Sequence, residues 1–499
     1  MMAANGVSET KIFDIGKGKF KAYADFDVSQ SYELLPIRLE RLNSSSFVVT
    51  NEVGEFIVLD EETTKSLVSG QLAKSHKCYV ELLSKHFITD ETYTSAIDLL
   101  ALKVRTKRSN VRELTALHMF VVTLRCNQSC PYCQVSRQSE DRAAFDLSSE
   151  HIEKALDFTF KTPNPRIKIE FQGGESLLNF EGIKEIVIGA EARSEVTGKY
   201  VEFVAATNLT FLNDEILSFF RKHKVFISTS LDGPQHLHDK NRPYKERNAY
   251  SVVKNNIELA RKHLGNDRVS ALMTTTGRSL PHVKEIIDEY VSSSFKEIFL
   301  RPLSPYGFAL RTKTFSEYDT EQWMKFYEEG LEYILELNRK GVFFREIYTT
   351  IILRKILTPF GTGYVNLQSP AGNAISGIVF NYDGKIYGSD EGRMLAEMKD
   401  DYMELGNLDD HSYSDIFTSE KLHNILRESL AESSPRCEKC AFLPYCGSDP
   451  DYHYSRQKDL QGHKAFSGFC KKNMSIFKYL IEKLDEDKDD AKILKGWIK

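Results

Sequence analysis

Seven of the eight cysteines in this chain fall into two groups. The first lies in LRCNQSCPYCQ and is spaced Cys126-x3-Cys130-x2-Cys133. The second lies in CEKCAFLPYC and the later GFCKKN, spaced Cys437-x2-Cys440-x5-Cys446-x23-Cys470. In a reducing compartment, thiols grouped this tightly read as metal ligands before disulfides. Thiolates bind zinc and iron–sulfur clusters, and a cubane takes four ligands. Three cysteines in one short loop leave an iron without a protein ligand, which is where a substrate or cofactor can bind. The four-cysteine group suits zinc or a cubane. Cys78, alone in SHKCYVELL, reads as a small buried hydrophobe.

These loops need elements to hold them. From about Leu117 to Leu303 the pattern alternates strands and helices. Strands are expected at His118–Leu124, Arg166–Phe171, Tyr200–Ala206, Val225–Leu231, Arg268–Thr275 and Glu297–Arg301. Helices are expected between them, at Ser149–Lys161, Glu181–Glu195, Asn213–Lys222, Ala249–His263 and Pro281–Ser292. Six such units imply a parallel sheet with right-handed crossovers, closed as a partial (β/α)6 barrel. The first cysteine loop follows the first strand, at the carboxyl end of the sheet, where barrel active sites are built. Ahead of the barrel, LLPIRLERLNSSSFVVTNEVGEFIVLD reads as a small β-meander followed by a helix over Glu61–Val68. The expected division is an irregular stretch at 1–32, a small domain at 33–105, the barrel at 114–310, a helical bridge at 311–365, a cysteine-bearing domain at 366–475 and a charged tail or terminal helix at 476–499.

Composition narrows the classes. The chain has 499 residues, 41% hydrophobic and 27% charged, as expected of a globular protein. A net charge of −5 gives no basic footprint for nucleic acid. No run of 18 apolar residues and no signal pattern is present, so no membrane partner is expected and the location is read as cytoplasmic.

The CxxxCxxC loop with Tyr132 before its last cysteine resembles the radical S-adenosylmethionine (SAM) superfamily. The resemblance implies a [4Fe–4S] cluster on Cys126, Cys130 and Cys133. SAM would chelate its open iron and be cleaved to a 5′-deoxyadenosyl radical that takes hydrogen from a substrate C–H bond. It further implies that Tyr132 lies near the adenine and that Gly173, Gly174 and Glu175 of FQGGES meet the methionyl end of SAM. Asn208, Ser230, Asp232 and Arg242 would contact its ribose, carboxylate or sulfonium region. Here TNL stands where relatives have TNG, which weakens the case for Asn208.

The second cysteine group resembles the SPASM extension of peptide and sulfatase maturases. That extension usually holds two auxiliary clusters. Cys437, Cys440, Cys446 and Cys470 match the ligands of one; Ser389 and Pro450 stand where cysteines of the other belong. One auxiliary [4Fe–4S] cluster is therefore expected. Asp390 follows the lost cysteine, at the position of a base in anaerobic sulfatase maturases.

The N-terminal meander and helix resemble winged-helix-like domains that bind the leader of a precursor peptide as an added strand. Along most of the chain the likeness is to His-Xaa-Ser system radical SAM maturases, carried most specifically by NYDGKIYGSDEGRMLAEM, CAFLPYCGSDP and DYHYSRQ. That likeness implies a precursor peptide substrate, a second radical SAM partner protein and an external electron donor of flavodoxin or ferredoxin type. The alternatives are a radical SAM enzyme acting on another protein or a small molecule, and a non-enzymatic zinc protein.

Overall fold

The computed structural model describes residues 32–245 and 248–498. Nearly all of the stretch expected to be irregular, 1–32, lies outside them. Five short strands open the described chain: β1 (Glu33–Leu34), β2 (Ile37–Arg41), β3 (Ser46–Asn51), β4 (Phe56–Asp60) and β5 (Ile88–Thr89). β2, β3 and β4 form an antiparallel sheet, while β1 pairs with β5. The expected helix forms at Glu61–Val68, and Asp60 caps it by accepting the Thr63 N–H. Two further helices, Tyr79–Ser84 and Ala96–Lys107, complete this region.

The barrel strands are β6 (Leu117–Thr123), β7 (Arg166–Gly173), β8 (Tyr200–Thr207), β9 (Phe226–Ser230) and β10 (Val269–Leu272). All pair in parallel, each with its sequence neighbour, as the alternating pattern requires. The sixth unit joins differently. β11 (Glu297–Ile298) pairs with β12 (Arg345–Glu346) in a separate two-stranded sheet. It reaches the barrel through one backbone bond, in which the Thr275 N–H donates to the Arg301 carbonyl at 2.9 Å.

On the other edge the cysteine-rich region extends the same sheet. β13 (Gly377–Phe380) pairs in parallel with β6, and β14 (Lys385–Tyr387) and β15 (Glu404–Asn407) follow antiparallel. The sheet thus runs β10-β9-β8-β7-β6-β13-β14-β15. β6 is paired on both edges and covered on both faces, which explains its unbroken apolar run MFVV. The 476–499 stretch is helical. Gly468–Glu486 and Lys488–Gly496 bury Phe477, Leu480, Leu494 and, just beyond, Trp497. Among the described residues no helix is long and apolar enough to cross a membrane.

β13 ties the two cysteine regions into one sheet, and Val379 at its centre is fully buried opposite Met119. Val379→Pro removes a ladder donor from a strand paired on both sides and should destabilise the chain by about 3 kcal/mol or more. Thermal unfolding measures this; an unchanged melting temperature would show that β13 does not stabilise the barrel.

Candidate active site

The first cysteine loop leaves the carboxyl end of β6 and is clamped by the turn after β7. The Gly174 N–H donates to the Thr123 carbonyl and the Glu175 N–H to the Arg125 carbonyl, both at 2.8 Å. A Cβ on Gly173 would lie 1.9 Å from the Thr123 oxygen, and one on Gly174 would lie 2.4 Å from the Arg125 oxygen. Gly173 also holds φ at +151°. The glycine pair is thus required by the backbone at the loop entry, whatever it also does for a ligand. Arg125 secures the same entry, with Nε and Nη2 each 2.7 Å from the Asp146 carboxylate.

Glu175 is fully buried and already engaged. Its oxygens accept from the Thr207 hydroxyl, the Leu177 N–H at 3.0 Å and the Asn208 N–H at 2.6 Å. A carboxylate has about four acceptor positions, and these bonds fill three of them. Burial raises its pKa. Asn208 lies over the loop: its Nδ2 donates to Asn127 Oδ1 at 2.9 Å and sits 4.0 Å from Cys126 Sγ. Ser230 ends β9, half-buried on the same rim.

Tyr132, Asp232 and Arg242 form one network. Asp232 is fully buried and accepts from the Tyr132 hydroxyl at 2.5 Å, from Arg242 Nε at 3.1 Å and Nη2 at 3.2 Å, and from the Thr274 N–H at 3.3 Å. Its own N–H donates to His238 Nδ1 at 3.3 Å. Burial pushes His238 down to about 4, so the ring is neutral at pH 7 and can accept that bond. Tyr132 lies beneath the Arg242 guanidinium, 5.5 Å from its ring centre, and packs with Leu303 and Ala309.

The chemistry of the thiols fits a cluster. Burial pushes Cys130 up to about 12, and Cys126 higher still, so a cation is needed to make them thiolates. In the second group burial raises all four, Cys440 to about 11 and Cys446 to about 12. Among the described residues, neither group brings three Sγ atoms within 4.8 Å of one another. A single tetrahedral zinc, with Zn–S near 2.3 Å, would need sulfurs about 3.8 Å apart. A cubane, with one thiolate on each iron, takes the wider arrangement.

The positions that lack cysteines have structural duties. Ser389 caps the helix Asp390–Glu397 by accepting the Gly392 N–H at 3.0 Å. Pro450 opens the helix Pro450–Gln457 behind its cap Asp449. Asp390 Oδ1 accepts from Arg393 Nε at 2.9 Å and Nη2 at 2.7 Å, and Arg393 is fully buried. That pairing holds the Asp390 carboxylate against its own helix.

The next residue, which sequence reasoning passed over, is placed differently. Glu391 lines a cavity of about 610 Å³. Burial, then Asp390 and Asp451, push it up to about 7. One wall of the cavity is Leu303, Phe315 and Tyr318, which also pack against Tyr132 and Cys130. The other includes Asp449, Phe469 and Lys472 of the cysteine-rich region. The acid-rich text SDEG was the only sequence signal for Glu391.

Asp232→Ala would leave Arg242 buried without its counter-charge. A loss of about 3–5 kcal/mol is expected by denaturant unfolding, with iron loss from the first loop on anaerobic reconstitution. Wild-type stability and iron content in that variant would remove the network from the site.

Residues 120–290 match the Radical SAM superfamily. The chain is 22% identical over 376 residues to a cysteine-type anaerobic sulfatase-maturating enzyme of Clostridium perfringens, covering 72% of this chain and 94% of that one. It is 24% identical over 385 residues to a serine-type enzyme of Bacteroides thetaiotaomicron, covering 72% and 88%. Among solved structures, anSMEcpe with bound AdoMet superposes with a TM-score of 0.62 at 18% identity, over 76% of this chain and 99% of that one. Streptococcus suis SuiB bound to the precursor peptide SuiA superposes at 0.51 and 15% identity, over 86% and 98%. With this fold, this loop and these relatives, residues 120–290 carry a radical SAM domain, and the chain is an enzyme whose cofactors are a [4Fe–4S] cluster and S-adenosylmethionine.

Proposed function

We propose that this enzyme is a maturase that takes hydrogen from a peptide held in the 610 Å³ cavity. The observation that carries the reading is the position of that cavity, between Leu303, which packs with Tyr132 of the first cysteine loop, and the cysteine-rich region. Its size suits one or two side chains, and its aromatic wall with a few convergent charged groups is typical of such sites. Cys126, Cys130 and Cys133 hold the SAM-binding cluster, and Cys437, Cys440, Cys446 and Cys470 hold one auxiliary cluster. When bound, cluster and SAM supply a 5′-deoxyadenosyl radical. The Gly173–Gly174 turn, Glu175, Asn208, Ser230, Asp232 and Arg242 hold and orient the cofactor. Glu391, rather than Asp390, whose carboxylate is held by Arg393, would accept the proton the substrate gives up, and the auxiliary cluster would take the electron left after hydrogen abstraction.

The N-terminal region binds the leader of the substrate peptide. Among the described residues β4 pairs with β3 alone, so its outer edge is suited to an added strand. The precedent of SuiB with a bound precursor peptide supports this reading. The finer assignment is a His-Xaa-Ser repeat peptide, processed in the cytoplasm with a second radical SAM protein and a flavodoxin- or ferredoxin-type donor. A second reading, a sulfatase-type cysteine or serine as target, is favoured by alignments that span 72% of the chain.

Two synthetic peptides separate the readings by mass spectrometry: one with His-Xaa-Ser repeats behind its leader, one with a sulfatase-type cysteine and serine. A SAM-dependent mass change in the first supports the main proposal; a change only in the second supports the alternative. The triple variant Cys126→Ala, Cys130→Ala, Cys133→Ala should form no 5′-deoxyadenosine. Glu391→Gln should keep that activity and lose about 10²–10⁴-fold in peptide conversion, while Asp390→Asn loses less. Wild-type conversion should fall as pH drops through about 7, because protonation removes the base.

A further inference from the structure

Two lysines converge behind Cys446, and among the described residues neither forms a salt bridge; Glu55, the carboxylate that acts on Lys107, is paired with Lys103 at 2.5 Å. Lys355, on the helix Ile347–Leu357, is 5% exposed, and its Nζ donates to the Leu367 carbonyl. Lys107 ends the helix Ala96–Lys107 of the N-terminal region. Its Nζ donates to the Val53 carbonyl at 2.5 Å and to the Lys355 carbonyl at 3.0 Å, and it lies 5.6 Å from the ring centre of Tyr445. Both lysines and Cys446 line one cavity of about 60 Å³. Two carboxylates share that cavity but are spoken for. Glu432 accepts from Arg108 and from the Ser369 hydroxyl, and Glu52 pairs with Arg38 at 3.0 Å.

Burying an ammonium against neutral carbonyls alone is costly, and two beside each other repel. An anion facing both would offset the cost. A [4Fe–4S] core on four thiolates is such an anion: two negative charges when oxidised, three when reduced. The attraction to a fixed cation therefore grows when the cluster takes an electron. We infer that Lys355, with Lys107 behind it, stabilises the reduced auxiliary cluster and raises its reduction potential, suiting it to accept electrons. Lys355 is a positioning charge and touches no substrate. Because Lys107 belongs to the N-terminal region, docking of that region contributes directly to the redox poise of the cluster.

The inference rests on the auxiliary-cluster reading, and one experiment separates the two. Full-length protein carrying Cys126→Ala, Cys130→Ala and Cys133→Ala is reconstituted anaerobically, so that only the second cysteine group can hold iron. Iron and sulfide are counted and the midpoint potential is read by EPR during titration with dithionite. About four irons per chain are expected. At the parent midpoint, Lys355→Met should lower the reduced-to-oxidised ratio about tenfold, a downward shift of about 59 mV for one electron. Lys355→Arg should restore it. Lys107→Met should shift the potential in the same direction by less, and it carries the test if Lys355→Met does not fold. Zinc or no iron in the parent would overturn the cluster reading. A cubane whose potential is unmoved by either methionine variant would overturn the inference alone.

Discussion

The site depends on a seam of bare backbone between the ends of β6 and β7. There the N–H groups of Gly174 and Glu175 meet the carbonyls of Thr123 and Arg125 at 2.8 Å. No side chain fits between them, since a Cβ on either glycine would fall within 2.4 Å of a carbonyl oxygen. The seam fixes where the first cysteine loop starts, and the side chain that follows it, Glu175, then binds the end of β8 through Thr207 and Asn208. Three strand ends are locked in one polar arrangement before any ligand enters. Such preorganisation is what a short-lived radical requires of its surroundings.

Charge is handled differently in the two halves of the site. Around the first loop the buried guanidiniums have carboxylate partners: Arg125 with Asp146, Arg242 with Asp232. Around the second group Lys355 and Lys107 donate to carbonyls, and the carboxylates that share their cavity, Glu432 and Glu52, are paired elsewhere. Anionic thiolates there would offset the buried ammonium charge, which would couple metal loading to folding. The N-terminal region adds to this coupling. Besides Lys107, the Thr50 hydroxyl donates to the Ala441 carbonyl at 2.7 Å and the Tyr445 hydroxyl to the Gly54 carbonyl at 2.6 Å.

Ser389 and Pro450 serve ordinary helix capping and helix initiation. The space beside them is polar. Asp451 accepts from Asn373 Nδ2 at 2.8 Å, and burial and its neighbours push Glu391 up to about 7.

The amino-acid sequence by itself determined the thiol groups, the alternation of β6 to β10 with their helices, and the identity of the turn after β7. These are local: cysteine spacing, a repeating apolar period and a glycine pair are all properties of a few neighbouring residues. The capping duty of Ser389 and the helical C-terminus were within reach of the same local logic. Tertiary structure decided the rest. β13 joins β6 from some 250 residues away, because an open parallel sheet leaves an edge that any suitable strand can fill. The sixth βα unit pairs with β12 instead of with β10, since a two-residue strand has too few ladder bonds to choose its own neighbour. Asp390 and Glu391 are adjacent acids in the text, yet one meets a buried guanidinium and the other a cavity. Glu391 is pushed up to about 7 because a pKa is set by the charges and solvent around a group in space, and those come from distant parts of the chain.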